Sequence, residues 1–376
     1  MNITNKDAVT RGEVVSELFD IIVLAIDFDT DLEALDYFVQ NSLIRGRTDD
    51  GYQLDETCTT QEMLVFSVRV FEHISYELEL DSKGLFWKIT GDDLPNTVYL
   101  LGTMHIADSS VYPFSKEMIA AFEASVYLGV EANIYTMSAE DMAYMAELQM
   151  ITDGSTIKDL ISEETYATYV EVAESFGLTP DLYDYMKPWA AWLGIQQAMA
   201  SDESADDATS AMLGIDMYFL MRAFYGGKSV IELESIRYQA DMFESFSPEL
   251  QEMLLLSVLP SSGDEDSEET YTQEELAQAL REFNAYMLQA VKSGDVDTLT
   301  ALLLASRDYS NALTSELNTK IWDDRDAGMA EMIEQYLAAD DAIGDFFVAV
   351  GAGHTIGETG IVNVLMNKGY TVERVW

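Results

Sequence analysis

A single cysteine, Cys58, in 376 residues excludes an internal disulfide framework and any multi-cysteine zinc or iron–sulfur centre. Histidine is nearly as scarce, with three in the chain, so His, Asp and Glu are the only ligand set left for a metal. Basic residues are few: 20 Lys and Arg against 68 Asp and Glu give a net charge of −48. Such a field repels phosphate backbones and anionic lipid alike, which excludes nucleic acid as a partner. No apolar run approaches the ~20 residues of a spanning helix, so no membrane span is expected. Met1–Arg11 lacks the charged-then-apolar order of a secretory signal, so an exported form would carry its targeting segment outside this sequence.

What is present is a large apolar fraction, 48% of residues, which argues for a folded chain beneath an acidic coat and against disorder. A salt-adapted or extracellular setting fits that coat. The length accommodates one large domain and a small accessory one, with the boundary expected near residue 80 (1–80 and 81–376). In the first part, Val14–Ile26 and Glu62–Ile74 have helical apolar spacing behind threonine starts suited to N-caps. From Leu85 the pattern changes to short apolar runs at 85–89, 97–101, 125–131, 229–234, 346–350 and 371–375, read as strands. Helical stretches at 115–124, 138–150, 163–176, 187–200, 208–225, 272–291 and 323–339 lie between them. The expected fold class is therefore mixed α/β: a central sheet with large helical insertions, preceded by a small all-α module. Ser261–Thr270, a Ser/Asp/Glu run, is expected to be an acidic loop within the domain.

Of the histidines, His73 sits in the N-terminal helical run and is read as a packed or surface imidazole. The other two differ. Each follows an apolar strand and a glycine three residues earlier, in Leu100-Leu101-Gly102-Thr103-Met104-His105 and Ala349-Val350-Gly351-Ala352-Gly353-His354. A glycine at a strand end permits a tight turn and presents the next polar side chain at the sheet edge where α/β sites form. The duplicated element is expected to bring His105 and His354 to one cleft as a pseudo-repeat. Carboxylates also close strands, Glu131 after Val130 and Glu232 with Glu234 after Ile231, the last two expected on one face by the two-residue period.

Together these pieces resemble the TraB/GumN family, which includes the TIKI proteins and is related to erythromycin esterase-like and ChaN-like proteins. The resemblance spans about residues 85–376. It runs through Gly102–His105, Glu131-Ala132-Asn133, Gly214-Ile215-Asp216, Ile231–Ser235, Asp324-Arg325-Asp326 and Gly351–His354. Where the family usually has Arg-Asn, this chain has Arg325-Asp326. By resemblance, the site residues are His105, Glu131, Asp216, Glu234, Arg325 and His354. The resemblance implies a metal-dependent hydrolase, peptidase-like, acting on a peptide or small-molecule substrate. The implied ligands of a manganese, cobalt or zinc ion are His105, Glu131, Asp216, Glu234 and His354. The implied catalytic residues are His105, Glu234, Arg325 and His354, with Glu234 as ligand or general base and Arg325 facing an anionic group. The erythromycin esterase-like branch implies a metal-free alternative, in which a histidine is the general base on water. A further alternative is a non-catalytic protein that sequesters a peptide or haem.

Residues 5–77 resemble S-layer homology repeats through Thr10-Arg11-Gly12-Glu13, Ala34–Ile44, the Gly46–Gly51 turn and Thr59-Thr60-Gln61-Glu62. The second copy lacks the arginine. This resemblance implies a cell-wall polymer as a partner and an extracellular or cell-envelope address in a bacterium with a thick wall.

Overall fold

Val98–Thr103 (β2) and Phe346–Gly351 (β5) are apolar along nearly their whole lengths and buried on both faces, the pattern of strands central to a parallel sheet. They pair in parallel, Val98 opposite Phe346 and Thr103 opposite Gly351, so their carboxyl ends finish side by side. Around them a computed structural model shows a six-stranded mixed sheet in the order β4-β3-β5-β2-β1-β6. The remaining strands are Leu85–Thr90 (β1), Tyr127–Val130 (β3), Ser229–Glu232 (β4) and Thr371–Arg374 (β6). β4, β3, β5 and β2 run parallel, while β1 is antiparallel to both β2 and β6. All the expected strand regions therefore lie in one sheet, and four of them open their carboxyl ends on the same edge. That edge is where α/β sheets place their ligands.

The structure describes residues 9–27, 30–47, 51–200, 213–260, 271–340 and 344–375. The expected loop 261–270 lies outside the described residues, as do 208–212 of the expected helix and 48–50 of the expected turn. The chain divides into two compact units, Met1–Ser82 and Lys83–Trp376. In the larger unit, helices at Lys116–Ala124, Ile215–Gly226 and Asp324–Ala338 pack their apolar faces on the sheet, around a core that includes Phe122, Phe219 and Phe347. The helical insertions build a second core of their own around Tyr169, Trp192 and Leu250. Helices not anticipated from apolar spacing, among them Ile236–Glu244, Pro248–Ser257 and Ala312–Asn318, start at polar caps instead. Ser247 accepts from the Leu250 N–H with Pro248 behind it, and Asn311 accepts from Leu313 and Thr314.

The smaller unit packs helices Arg11–Ile26, Ala34–Gln40 and Thr60–Glu77 around Ile22, Phe38 and Phe66. Its two Thr-x-x-Glu starts are both capping boxes: Thr10 with Glu13 and Thr59 with Glu62. His73 is packed, its Nε2 2.7 Å from the Tyr37 hydroxyl. Among the described residues no helix is long and apolar enough to cross a membrane.

Candidate active site at the strand ends

Each of the four parallel strands delivers a polar side chain to the shared edge within three residues of its end. β2 leads to His105, β3 to Glu131, β4 to Glu234 and β5 to His354. Pairing between β3 and β4 stops at Val130 and Glu232, yet the Glu234 N–H still reaches the Glu131 carbonyl at 2.9 Å. This last bond keeps the two carboxylates adjacent.

Arg325, in the first turn of the helix Asp324–Ala338, lies between them. Its Nη2 donates to Glu131 Oε2 at 2.6 Å and to Glu234 Oε2 at 2.8 Å, and its Nε donates to Glu234 Oε1 at 3.0 Å. Gln239 Nε2 adds a donor to Glu234 Oε2 at 3.1 Å. The remaining oxygen of Glu131 accepts from the Gly351 N–H at 2.5 Å and lies 4.0 Å from His354 Nε2. Burial by itself would raise the Glu131 carboxyl. The neighbouring His354 imidazole, Arg325 and His105, with the Gly351 N–H, overcome it and hold Glu131 at about 2. The same carboxylates raise Arg325 against its own burial, so one guanidinium is shared between two carboxylates.

The histidines follow the adjacent strands β5 and β2, beyond Glu131 in the strand order, and each is oriented by an aspartate. His105 Nδ1 is 2.8 Å from Asp216 Oδ2. Asp216 sits in the first turn of Ile215–Gly226, and that helix start is pressed onto the His105 loop: Ile215 N–H donates to the Met104 carbonyl at 2.9 Å. A Cβ on Gly214 would run into the His105 carbonyl, so only glycine permits this approach. The bond to Asp216 lifts the imidazole to about 9. The His105 side chain is 69% exposed, so solvent screens its more distant partners and the shift rests on that direct bond. His354 is buried, with Nδ1 2.6 Å from Asp326 Oδ1. Asp326, fully buried, has its pKa raised by that burial, with the bond to His354 opposing. In both histidines the carboxylate binds Nδ1, which leaves Nε2 for chemistry.

The structure thus places His105, Glu131, Asp216, Glu234, Arg325 and His354 on one edge of one sheet, linked as two His–Asp pairs and an Arg–Glu–Glu triad. Glu232 does not join them. Its side chain is exposed and accepts from the Asn133 N–H at 2.7 Å, which turns it to the loop after β3. Apolar patterning and strand ends did not identify the role of Asp326. Its signal in the sequence was the departure at Arg325-Asp326 from the family's usual Arg-Asn.

As arranged, these donors do not form a ligand shell. Among the described residues no group of three or more His, Cys, Asp or Glu side chains could hold a metal ion. The reason is occupancy: Glu131 and Glu234 are bound to Arg325, and Asp216 and Asp326 to the Nδ1 atoms.

No curated protein and no solved structure matches the chain. The model of the TraB/PrgY/gumN family matches residues 85–374, which takes in the whole sheet and every residue of this edge. The chain therefore belongs to the TraB/PrgY/gumN family.

Proposed function

We propose that the larger unit is a hydrolase of amide or ester bonds in peptide-like substrates, working by histidine acid–base chemistry. One observation carries this reading: two imidazoles, each held through Nδ1 by an aspartate, follow the adjacent strands β5 and β2 next to the buried Arg325 triad at one sheet edge. His105, lifted to about 9 by Asp216, is protonated at neutral pH and is the group able to donate a proton. The base is then His354, whose Nε2 takes a proton from water as the water oxygen bonds to the carbonyl carbon. Arg325 supplies positive charge toward the oxyanion that forms. The carbon–nitrogen or carbon–oxygen bond breaks as the His105 Nε2–H protonates the leaving group. Pairing of two titratable groups with different environments is how one site supplies both acid and base.

The reading is tested on a panel of peptides and esters with wild type, His105→Gln and His354→Gln. Turnover lost in both variants with melting temperature retained supports it. Turnover in either variant equal to wild type overturns the assigned role. Tight peptide binding without turnover, or a haem absorbance on mixing, would make the protein a sequestering one instead. A metal-dependent form of the same hydrolase remains the second reading, favoured by the two Nδ1-anchored imidazoles, since ligating histidines commonly bond a carboxylate through their other nitrogen. A stoichiometric ion lost in the double histidine variant would establish it.

For the smaller unit we propose binding of an anionic cell-wall polymer, and with it an extracellular or cell-envelope address. A cavity of about 240 Å³ is lined by Arg11, Arg45, Arg47 and Arg69 with Thr59 and Gln61. That is four of only 20 basic residues in the chain. Arg11 and Arg47 share Glu62, which organises the guanidinium groups without cancelling all of them. Sedimentation with purified wall polymer should be lost in Arg45→Gln/Arg47→Gln; undiminished sedimentation refutes the proposal.

A further inference from the structure

Trp322 lies in a π-helical turn, Thr319–Asp323, directly before the helix that carries Arg325 and Asp326. Such turns insert an extra residue and recur at functional sites because they re-aim side chains. Here Trp322 comes onto the face of Asp326, and the two meet the same imidazole. Asp326 binds His354 Nδ1 at 2.6 Å, while the Trp322 ring lies with its centroid 4.9 Å from that of His354. Trp322 is also why the residue before His354 is glycine, since a Cβ on Gly353 would come within 2.5 Å of the indole.

The indole is also covered by Arg307, whose guanidinium carbon is 4.3 Å from the Trp322 ring centroid. Arg307 Nη2 donates to the Gly353 carbonyl at 2.9 Å, so it grips the backbone next to His354 as well as the ring above it. Its Nε is buried with no partner among the described residues. A buried, unsatisfied N–H is costly, so stacking and the Gly353 bond must hold the side chain in place.

We propose that Arg307 and Trp322 are positioning residues for His354: Arg307 lies over the indole, and the indole packs at a tilt of 50° against the imidazole, a clamp that limits ring rotation and thereby keeps its Nδ1–H on Asp326 and its Nε2 aimed at the strand-end cleft. Its consequence for turnover rests on the hydrolase reading above; the clamp itself does not.

The test uses the full chain labelled with ¹⁵N-histidine. With three histidines in the sequence, the ring N–H signals are assigned by loss in His354→Gln and His105→Gln. In Arg307→Met, which keeps the stem but removes the guanidinium, the His354 Nδ1–H signal is expected to broaden through faster exchange with water. His105 and His73 signals should stay in place. Trp322→Leu should do the same, and Trp322→Phe, which keeps a ring face, should restore protection. On any responsive substrate, Arg307→Met should lose about 10- to 100-fold in kcat with KM nearly unchanged.

An unchanged His354 signal in Arg307→Met overturns the proposal, as does equal disturbance of His105. Should Trp322→Leu fail to fold, Arg307→Met decides alone. Should wild type turn over no substrate, the hydrolase reading fails while the resonance result still decides the clamp.

Discussion

His354 and Asp326 form a buried pair, Nδ1 to Oδ1 2.6 Å, in which the second carboxylate oxygen has no hydrogen-bond partner among the described residues. Asp326→Asn keeps the shape and the acceptor but removes the charge that favours a protonated imidazole. Turnover should fall by roughly 10- to 100-fold, as for other groups that orient a working histidine. The melting temperature should hardly move, because a costly buried charge is removed along with its benefit. Steady-state kinetics beside thermal unfolding checks both, and full activity would strip Asp326 of its role.

The acid role of His105 has a pH signature. Its folded pKa is raised from 6.5 to about 9, so activity should fall as pH rises through that region and the donor loses its proton. Asp216→Asn removes the principal cause, so the alkaline limb should move down toward neutral pH. Stability carries the same sign: the contribution of this pair is complete below the unfolded value and is lost as pH rises toward 9. A pH–rate profile of Asp216→Asn superimposable on that of wild type would contradict the assignment.

Glu131 works in the opposite sense. Its pKa falls from 4.5 to about 2, so its contribution is complete above the unfolded value and is lost as pH drops through the interval toward 2. Glu131→Gln leaves Arg325 paired with Glu234 but removes a charged acceptor of the Arg325 and Gly351 donors, at a cost of about 1–3 kcal/mol near neutral pH. Urea unfolding should show the gap between wild type and variant narrowing steadily from about pH 5 downward. A constant gap across that range would mean the carboxylate is not ionised in the folded protein.

Because Arg325 already occupies Glu131 and Glu234, chelator treatment should leave both turnover and melting temperature unchanged. Added manganese, cobalt or zinc should raise the melting temperature no more in wild type than in the double variant His105→Gln/His354→Gln. Retention of one ion per chain through purification, absent from the double variant, would reverse this expectation.

The two compact units suggest separable folding. A fragment of residues 83–376 contains the complete sheet and both larger cores and should express in soluble form with one cooperative melt. The small unit, with its modest core, is expected to melt at lower temperature when isolated. An insoluble larger fragment would show that the units fold only together.

Local sequence determined the strands and the ends that matter. Val98–Thr103 and Phe346–Gly351 are apolar at successive positions, so burial on both faces is the only way to hide them from water, and each run ends in glycine with histidine three residues on. The capping boxes of the small unit are equally local, since Thr and Glu three residues apart satisfy each other's backbone N–H groups. Which carboxylate meets which cation was not local. Glu131 and Arg325 are 194 residues apart, and His105 and Asp216 are 111 apart. In a chain with 68 acidic residues, nothing in spacing alone marks the partners. Strand order made that choice. Placing β5 between β2 and β3 brings both histidines and both glutamates to one edge, and the helix behind it then offers Trp322, Arg325 and Asp326 from one face. Whether Glu232 or Glu234 faces the cleft was likewise decided by tertiary partners, since Glu232 is taken by the Asn133 N–H and Glu234 by Arg325.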